Sequence, residues 1–319
     1  MSAGPGLSVI VAATWSAEAA GRTVASIGGG DGVEVIVVAS PDLGPPGPRA
    51  GGVRWIAGDG RGAPRLRRLG ADAARGAICA FLEDSCLVGP GWLRSVESAF
   101  RDGRALAATG PVEQAAGASA VDWGVYHAEY APFAARSGRG VTPDVPRPGR
   151  RLAGINFACR REALGPSPAI REAEVAARCA GAIAVVDGMG VVHDRGYRWA
   201  EALADRRRFG REFGRGRWSD RPGPLCRLGL AAAPAILGVQ LARLVGCVAT
   251  RPRLLGPLLR SSATTLALLT AWSAGEAEGW ARAARAASRR RGRAARPVAS
   301  SPGPPSSMRA DCTRVPSPG

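Results

Sequence analysis

An α/β protein built on a doubly wound sheet flanked by helices is what this sequence predicts, and three observations carry it. Residues 7–12 (LSVIVA) and 33–38 (VEVIVV) are short β-branched runs of the kind that buried parallel strands use. Residues 16–26 between them can form a helix with Ser16 as its N-cap. Residues 77–82 are an apolar run that ends abruptly in Glu83 and Asp84, followed by a Gly-Pro-Gly-Trp turn at 89–92. In open α/β sheets ligands bind just beyond the carboxyl ends of the strands, so acids placed there face a ligand and not the core.

The remaining elements follow in order. A short strand is expected at 53–56, a helix at 64–75, the acid-bearing strand at 77–82, a helix at 91–101 and a strand at 106–110. Residues 121–134 are rich in aromatics and read as helical or irregular. Residues 137–150, rich in Gly, Pro and Arg, read as a mobile loop. Order resumes at 152–159, with a helix at 171–179, strand at 182–186 and 191–192, and a strongly basic helix at 197–213.

From residue 225 the character changes. Residues 225–248 and 254–272 are apolar, but Arg227, Pro234, Gln240 and Arg243 interrupt the first, and Pro257 and Arg260 the second. A membrane-spanning helix needs about 20 mostly uncharged residues, and neither run meets that cleanly. Three readings stay open: helices that close the core, amphipathic helices lying on a membrane with arginines at headgroup level, and a transmembrane hairpin. The tail beyond 286 reads as disordered. The expected organisation is residues 1–215 as the α/β domain, 216–285 as an apolar helical segment and 286–319 as a basic, Pro- and Ser-rich tail.

Composition narrows the function. With 46% apolar residues in a chain of 319, wholesale disorder is excluded. The formal net charge of +17 is carried without a single lysine, so the basic charge is all arginine. Such a chain attracts anions, whether nucleotide diphosphates, acidic headgroups or nucleic acid. No basic patch interleaved with aromatics is present, so nucleic acid is not an expected partner. The seven cysteines form no Cys-x-x-Cys pair, and the two histidines cannot complete a conventional zinc site with them. Buried thiols in a reducing cytoplasm are expected, and residues 1–6 carry no basic start of a signal peptide.

The motifs, taken in chain order, resemble the family-2 glycosyltransferases. Residues 9–15 (VIVAATW) resemble the family's opening strand, with Thr14 its nearest polar side chain. Arg67, within Arg65-Leu66-Arg67-Arg68-Leu69-Gly70, matches the arginine that precedes the acid strand. Glu83-Asp84-Ser85-Cys86 resembles the Asp-x-Asp segment, and more narrowly a subgroup that writes it Glu-Asp-His-Cys. Gly154-Ile155-Asn156, followed by Arg160-Arg161, resembles the acceptor-side Gly-x-Asn-x-x-x-Arg-Arg run. Glu172 and Glu174 stand where the family carries its catalytic base, and His193 ends a strand as the family's histidine does. Trp272-x-x-Gly275-Glu276-x-x-Gly279 resembles a segment found after the apolar helices of many such enzymes. The motifs with roles run from residue 7 to about 211, and no role is attached to the C-terminal one at 272–279.

This resemblance implies a GT-A fold, the Rossmann-like mixed sheet of nucleotide-diphospho-sugar transferases, with apolar helices at the C-terminus. It implies an inverting transferase at the cytoplasmic membrane face, acting on a nucleotide-sugar donor and a lipid-linked or glycan acceptor through peripheral membrane contact. Donor contacts would come from Thr14, Arg67, Glu83, Asp84, Asn156 and Arg160. Glu172, with Glu174 as second choice, would take the acceptor proton. A divalent metal, Mn²⁺ or Mg²⁺, would be held by Glu83, Asp84 and His193. The chain departs from the family at Ser85, which stands for the last acid, and at Ala39, where a nucleotide-reading aspartate is usual and Ser40 or Asp42 would substitute. At the metal site three outcomes stay open: Asp84 takes over, His193 contributes more, or metal dependence is lost. A degenerate relative that binds a nucleotide sugar or a partner without turnover is the alternative.

Overall fold

The computed structural model describes residues 6–43, 52–60, 62–135, 147–218 and 233–294. Four parallel strands form one half of the main sheet: β1 (Leu7–Ala13), β2 (Val33–Ala39), β3 (Val53–Ala57) and β4 (Ile78–Glu83), in the order β3-β2-β1-β4. Every residue of β1 is buried, as a strand covered on both faces requires. Helices α1 (Ala17–Ile27) and α2 (Ala63–Ala73) are the crossovers. Ser16 caps α1 as expected, its Oγ accepting the Ala19 N–H at 3.0 Å.

Immediately after Glu83 the chain turns through Asp84 and Ser85 into β5 (Cys86–Val88), then α3 (Trp92–Phe100), β6 (Ala107–Thr109) and β7 (Val112–Gln114). The aromatic-rich stretch is helical: α4 (Ala120–Glu129) opens with a capping box between Ser119 and Asp122 and ends in a 3₁₀ turn, Ala131–Phe133. There follow β8 (Arg147–Gly149), β9 (Asn156–Arg160), α5 (Glu172–Arg178), β10 (Ile183–Val185), β11 (Val191–His193) and α6 (Trp199–Trp218). Among the described residues the main sheet has eight strands, β3-β2-β1-β4-β9-β6-β10-β8, with β9 antiparallel to both neighbours. Phe81 and Phe157, paired across β4 and β9, stack at 4.8 Å. A smaller sheet, β5-β11-β7, stands beside it.

Two expectations are corrected. Part of the 137–150 loop is β8, an edge strand antiparallel to β10, while 137–146 lie outside the described residues. Helix continues past 286: α9 runs from Ser262 to Ala294, because its Ala- and Arg-rich end favours helix. Residues 295–319 lie outside the described residues.

The apolar segments form α7 (Ala233–Ala249), α8 (Leu255–Arg260) and α9, and residues 225–232 lie outside the description. Among the described residues no single helix is long and apolar enough to cross a membrane, although Pro252–Arg260 and Ser262–Ala286, bent by 87°, would pass together on length and composition. Leu244, Val248, Leu254, Leu268 and Leu269 are buried in the same core as Val125 and Tyr126 of α4. The opposite faces leave Val239, Val245, Leu255, Leu259 and Leu266 between 47% and 66% exposed.

α6 and α9 pack with their backbones in contact. A Cβ on Gly210 would collide with the Trp272 carbonyl, one on Gly214 with the Glu276 carbonyl, and one on Gly275 or Gly279 with those of Arg207 and Arg211. The contacts advance together along both chains, so the helices run parallel. This supplies the role that Trp272-x-x-Gly275-Glu276-x-x-Gly279 lacked: its glycines allow α9 to seat on Gly210 and Gly214 of α6.

Candidate active site

The site is organised around one buried guanidinium at the carboxyl edge of the sheet. β4 delivers Glu83 as its last residue, in register with Ala12 of β1. α2 places Arg67 behind it, 2% exposed. Arg67 Nη2 donates to Glu83 Oε1 and to the Gly154 carbonyl, both at 2.6 Å. Its Nη1 donates to the Ile170 carbonyl at 3.4 Å and lies 3.6 Å from Glu172 Oε2. The guanidinium also sits 5.5 Å from the centre of the Phe157 ring. One planar fork thereby ties β4, the Gly154 loop and the first turn of α5 together. Both Nη groups are taken up by protein acceptors and only the buried Nε lacks one, so Arg67 holds two carboxylates here and does not present its terminal fork to a diphosphate.

Burial pushes the Glu83 carboxyl up to about 7; Arg67 opposes the shift, while the charges of Glu129, Asp84 and Glu172 add to it. The unfolded carboxyl titrates near 4.5, so between the two values the folded state holds the extra proton. The associated stability is complete below 4.5 and is lost as pH rises through about 7. Glu83→Gln is expected to flatten the fall of melting temperature between about pH 5 and 8, read by thermal melts across that range.

Asp84 is 3% exposed and faces the first loop. Its Oδ2 accepts the backbone N–H groups of Thr14 at 3.0 Å, Trp15 at 2.7 Å and Ser16 at 3.1 Å, with the Thr14 hydroxyl 3.5 Å from Oδ1. Burial raises its pKa, and the three backbone bonds pull the other way. Thr14 and Asp84 are thus brought together, with Asp84 shaping the loop that leads into α1. Of the proposed replacements at the end of β2, Ser40 is buried, donating its N–H to the Ala13 carbonyl at 2.9 Å, and Asp42 is exposed.

The metal donors do not converge. Asp84 Oδ2 is committed to three N–H groups, and Glu83 to Arg67. His193, on β11, is fully buried between Tyr130 at 4.8 Å and Tyr197 at 5.9 Å, its Nδ1 3.3 Å from Gln114 Oε1. Burial, helped by the Arg195 charge, pushes its pKa down to about 4, so the ring is neutral at physiological pH. Among the described residues no three His, Cys, Asp or Glu side chains form a group suited to a metal ion. The expected donor set does not fit a divalent cation as arranged.

Asn156 lies opposite Leu82 at the same edge, but is fully buried. Its Nδ2 donates to the Met189 carbonyl at 2.6 Å, which positions the turn before β11 instead of facing a sugar. Arg160 is at the other end of β9, opposite Ile78. Four residues of strand separate it from Asn156, about 13 Å at ~3.3 Å per residue, and it binds the carbonyls of Ala105 and Phe100 at 3.2 and 3.1 Å. It therefore cannot share the site. Glu174 points elsewhere as well, because two residues on a helix are about 200° apart. It pairs with Arg171 at 2.9 Å and lines a cavity of about 10 Å³ with Arg68 and Arg178, room for roughly one water. Of the two candidate bases, Glu172 alone reaches Arg67.

Sequence reasoning missed Arg195, Trp15 and Glu129. Arg195 follows β11, and its charge acts on both Asp84 and His193. It lies over the Tyr197 ring at 4.5 Å and the Trp15 ring at 5.6 Å, with Arg22 also 5.9 Å from Trp15. Glu129 acts on Glu83 and is held by Arg206 at 2.6 Å. The available signals were adjacency: Trp15 follows Thr14, and Arg195 follows His193 by two residues.

A carboxylate pair and a cluster of arginines thus stand at the carboxyl edge of a doubly wound sheet, where an anionic ligand is received in this class of fold. No protein-family model matches the chain, and no curated protein matches it. Among solved structures it is similar to a crystal structure of GalNAc-T7 with UDP, GalNAc and Mn²⁺, at 16% identity and a TM-score of 0.43 over 60% of this chain. The chain spans 43% of the length of that protein. It is also similar to a crystal structure of a mycobacterial protein, at 19% identity and a TM-score of 0.42, over 65% of this chain and 73% of the other. Both likenesses are partial.

Proposed function

We propose that this chain is a GT-A glycosyltransferase related to family 2, moving a sugar from a nucleotide-diphosphate donor to a hydroxyl of a lipid-linked or glycan acceptor. The observation that carries the reading is the Glu83–Arg67–Glu172 bridge at the carboxyl edge of β4. The acceptor oxygen attacks the anomeric carbon from the face opposite the diphosphate, and Glu172 takes the acceptor proton. The bond from the anomeric carbon to the phosphate oxygen breaks, its electron pair leaves with the nucleoside diphosphate, and the configuration inverts. Arg67 fixes the angle between Glu83 and Glu172, and the Asp84-held loop supplies the wall beside the donor.

Residues 1–215 would be the transferase unit, and the helical segment from 216 the part that meets the cytoplasmic membrane face. The exposed apolar side chains of α7, α8 and α9, with the exposed Arg253 and Arg260 nearby, support that contact. The commitment of Asp84 and Glu83 to protein partners favours a second reading, a nucleotide-sugar binder without turnover. A calorimetric panel of UDP-, GDP- and dTDP-sugars, followed by transfer assays on lipid and glycan acceptors, decides. Binding with turnover is expected; binding without turnover in every acceptor mixture selects the second reading, and no binding removes both.

A further inference from the structure

We infer that the site neutralises the diphosphate of its donor with the Arg195 guanidinium in place of a divalent cation. The inference rests on the transferase reading and adds how its leaving group is met. Among the described residues the donors expected for a metal do not converge: Asp84 folds the 14–16 loop, Glu83 faces Arg67, and His193, its Nε2 buried without a partner, is enclosed by tyrosines.

Arg195 stands beside those same groups. It lies over Trp15, whose N–H is bound by Asp84, so it belongs to the cluster at the carboxyl ends of β1 and β4. Its side chain is 17% exposed and held in place by Tyr197 at 4.5 Å and by Glu201 and Asp205 at 2.5 and 3.9 Å. Both carboxylates bind through Nη2, while Nε is buried with no partner. A buried N–H without an acceptor is costly, and an anionic oxygen on that edge would satisfy it. On that edge Nη2 already faces Glu201 and Asp205, so a phosphate oxygen takes Nε–H and shares Nη2 with those carboxylates. Arg22, half-exposed and over the same Trp15 ring, adds a second positive charge at the mouth.

The test uses the full chain and the free diphosphates UDP, GDP and dTDP, titrated by calorimetry in excess EDTA and again with Mn²⁺. The diphosphate that binds is expected to show the same affinity within about two-fold in both conditions. Arg195→Gln is expected to weaken it by at least about tenfold, and Arg195→Lys by less, because the ammonium keeps the charge and loses the fork. Glu201→Gln keeps an amide oxygen to accept from Nη2 but removes a negative charge that competes with the diphosphate for Arg195, and is expected to tighten binding. Affinity that collapses in EDTA overturns the inference and leaves the transferase reading standing. So does unchanged affinity in Arg195→Gln, or a loss in Glu201→Gln as large as in Arg195→Gln. Wild-type protein that binds none of the three diphosphates in either condition removes both readings.

Discussion

Glu172→Gln is expected to lower turnover by about 10²–10⁴-fold while changing donor affinity by less than about two-fold, as loss of a general base does. The amide has the size of the carboxylate and fills the same space beside Gly154, so the local packing is retained. Arg67 keeps Glu83 and the carbonyls of Gly154 and Ile170, so its burial stays compensated. A second signature separates this change from a general loss of fold. The charge of Glu172 is one of the groups that push Glu83 upward, so in Glu172→Gln the Glu83 carboxyl is expected to ionise at lower pH. Glu174→Gln is the internal control, with turnover within two-fold of wild type, because Glu174 pairs with Arg171 on another face. Steady-state transfer with the donor identified by the nucleotide panel reads both variants. Full turnover in Glu172→Gln would end its assignment as base.

The parallel half of the sheet was legible because fully buried strands leave continuous β-branched runs, as in β1 and β2. Ser16 as a cap and Glu83 at a strand end were legible for the same local reason. What acids do after a strand is not local. Asp84 reaches back to N–H groups at 14–16, a contact across some seventy residues that no spacing in the chain announces. Arg160 shows the opposite failure: it is close in sequence to Asn156, yet a strand carries its residues away from one another, and β9 takes Arg160 to the far edge. The antiparallel insertion of β9 between two parallel strands was illegible too, since its residues read equally well in either direction. The C-terminal glycine motif was visible but mute, because its partner glycines lie on a helix some sixty residues earlier.

That pairing of helices leads to the second large effect. Gly→Ala inside a helix ordinarily stabilises by about 0.5–1 kcal/mol, since Ala restricts the unfolded chain. Gly238→Ala on α7 is expected to follow this rule, because nothing lies within 4 Å of the added methyl. Gly275→Ala is expected to reverse it and destabilise by about 3 kcal/mol, at the upper end of overpacking costs. The obstacles are the Arg207 carbonyl and the Arg211 nitrogen at 3.0 Å, and backbone cannot turn aside as a side chain can. The two helices must separate, and the consequence reaches the site. α6 carries Arg206, which lies 5.2 Å from the Trp272 ring and binds Glu129 at 2.6 Å. Glu129 in turn acts on Glu83. Gly275→Ala should therefore lower both the melting temperature and the nucleotide affinity, whereas Gly238→Ala should raise the first and leave the second unchanged. If both variants melt like wild type, α6 and α9 do not touch along this seam. If Gly275→Ala loses stability but keeps full affinity, Arg206 and Glu129 are supports of the helix pair alone and have no part in tuning the carboxylates.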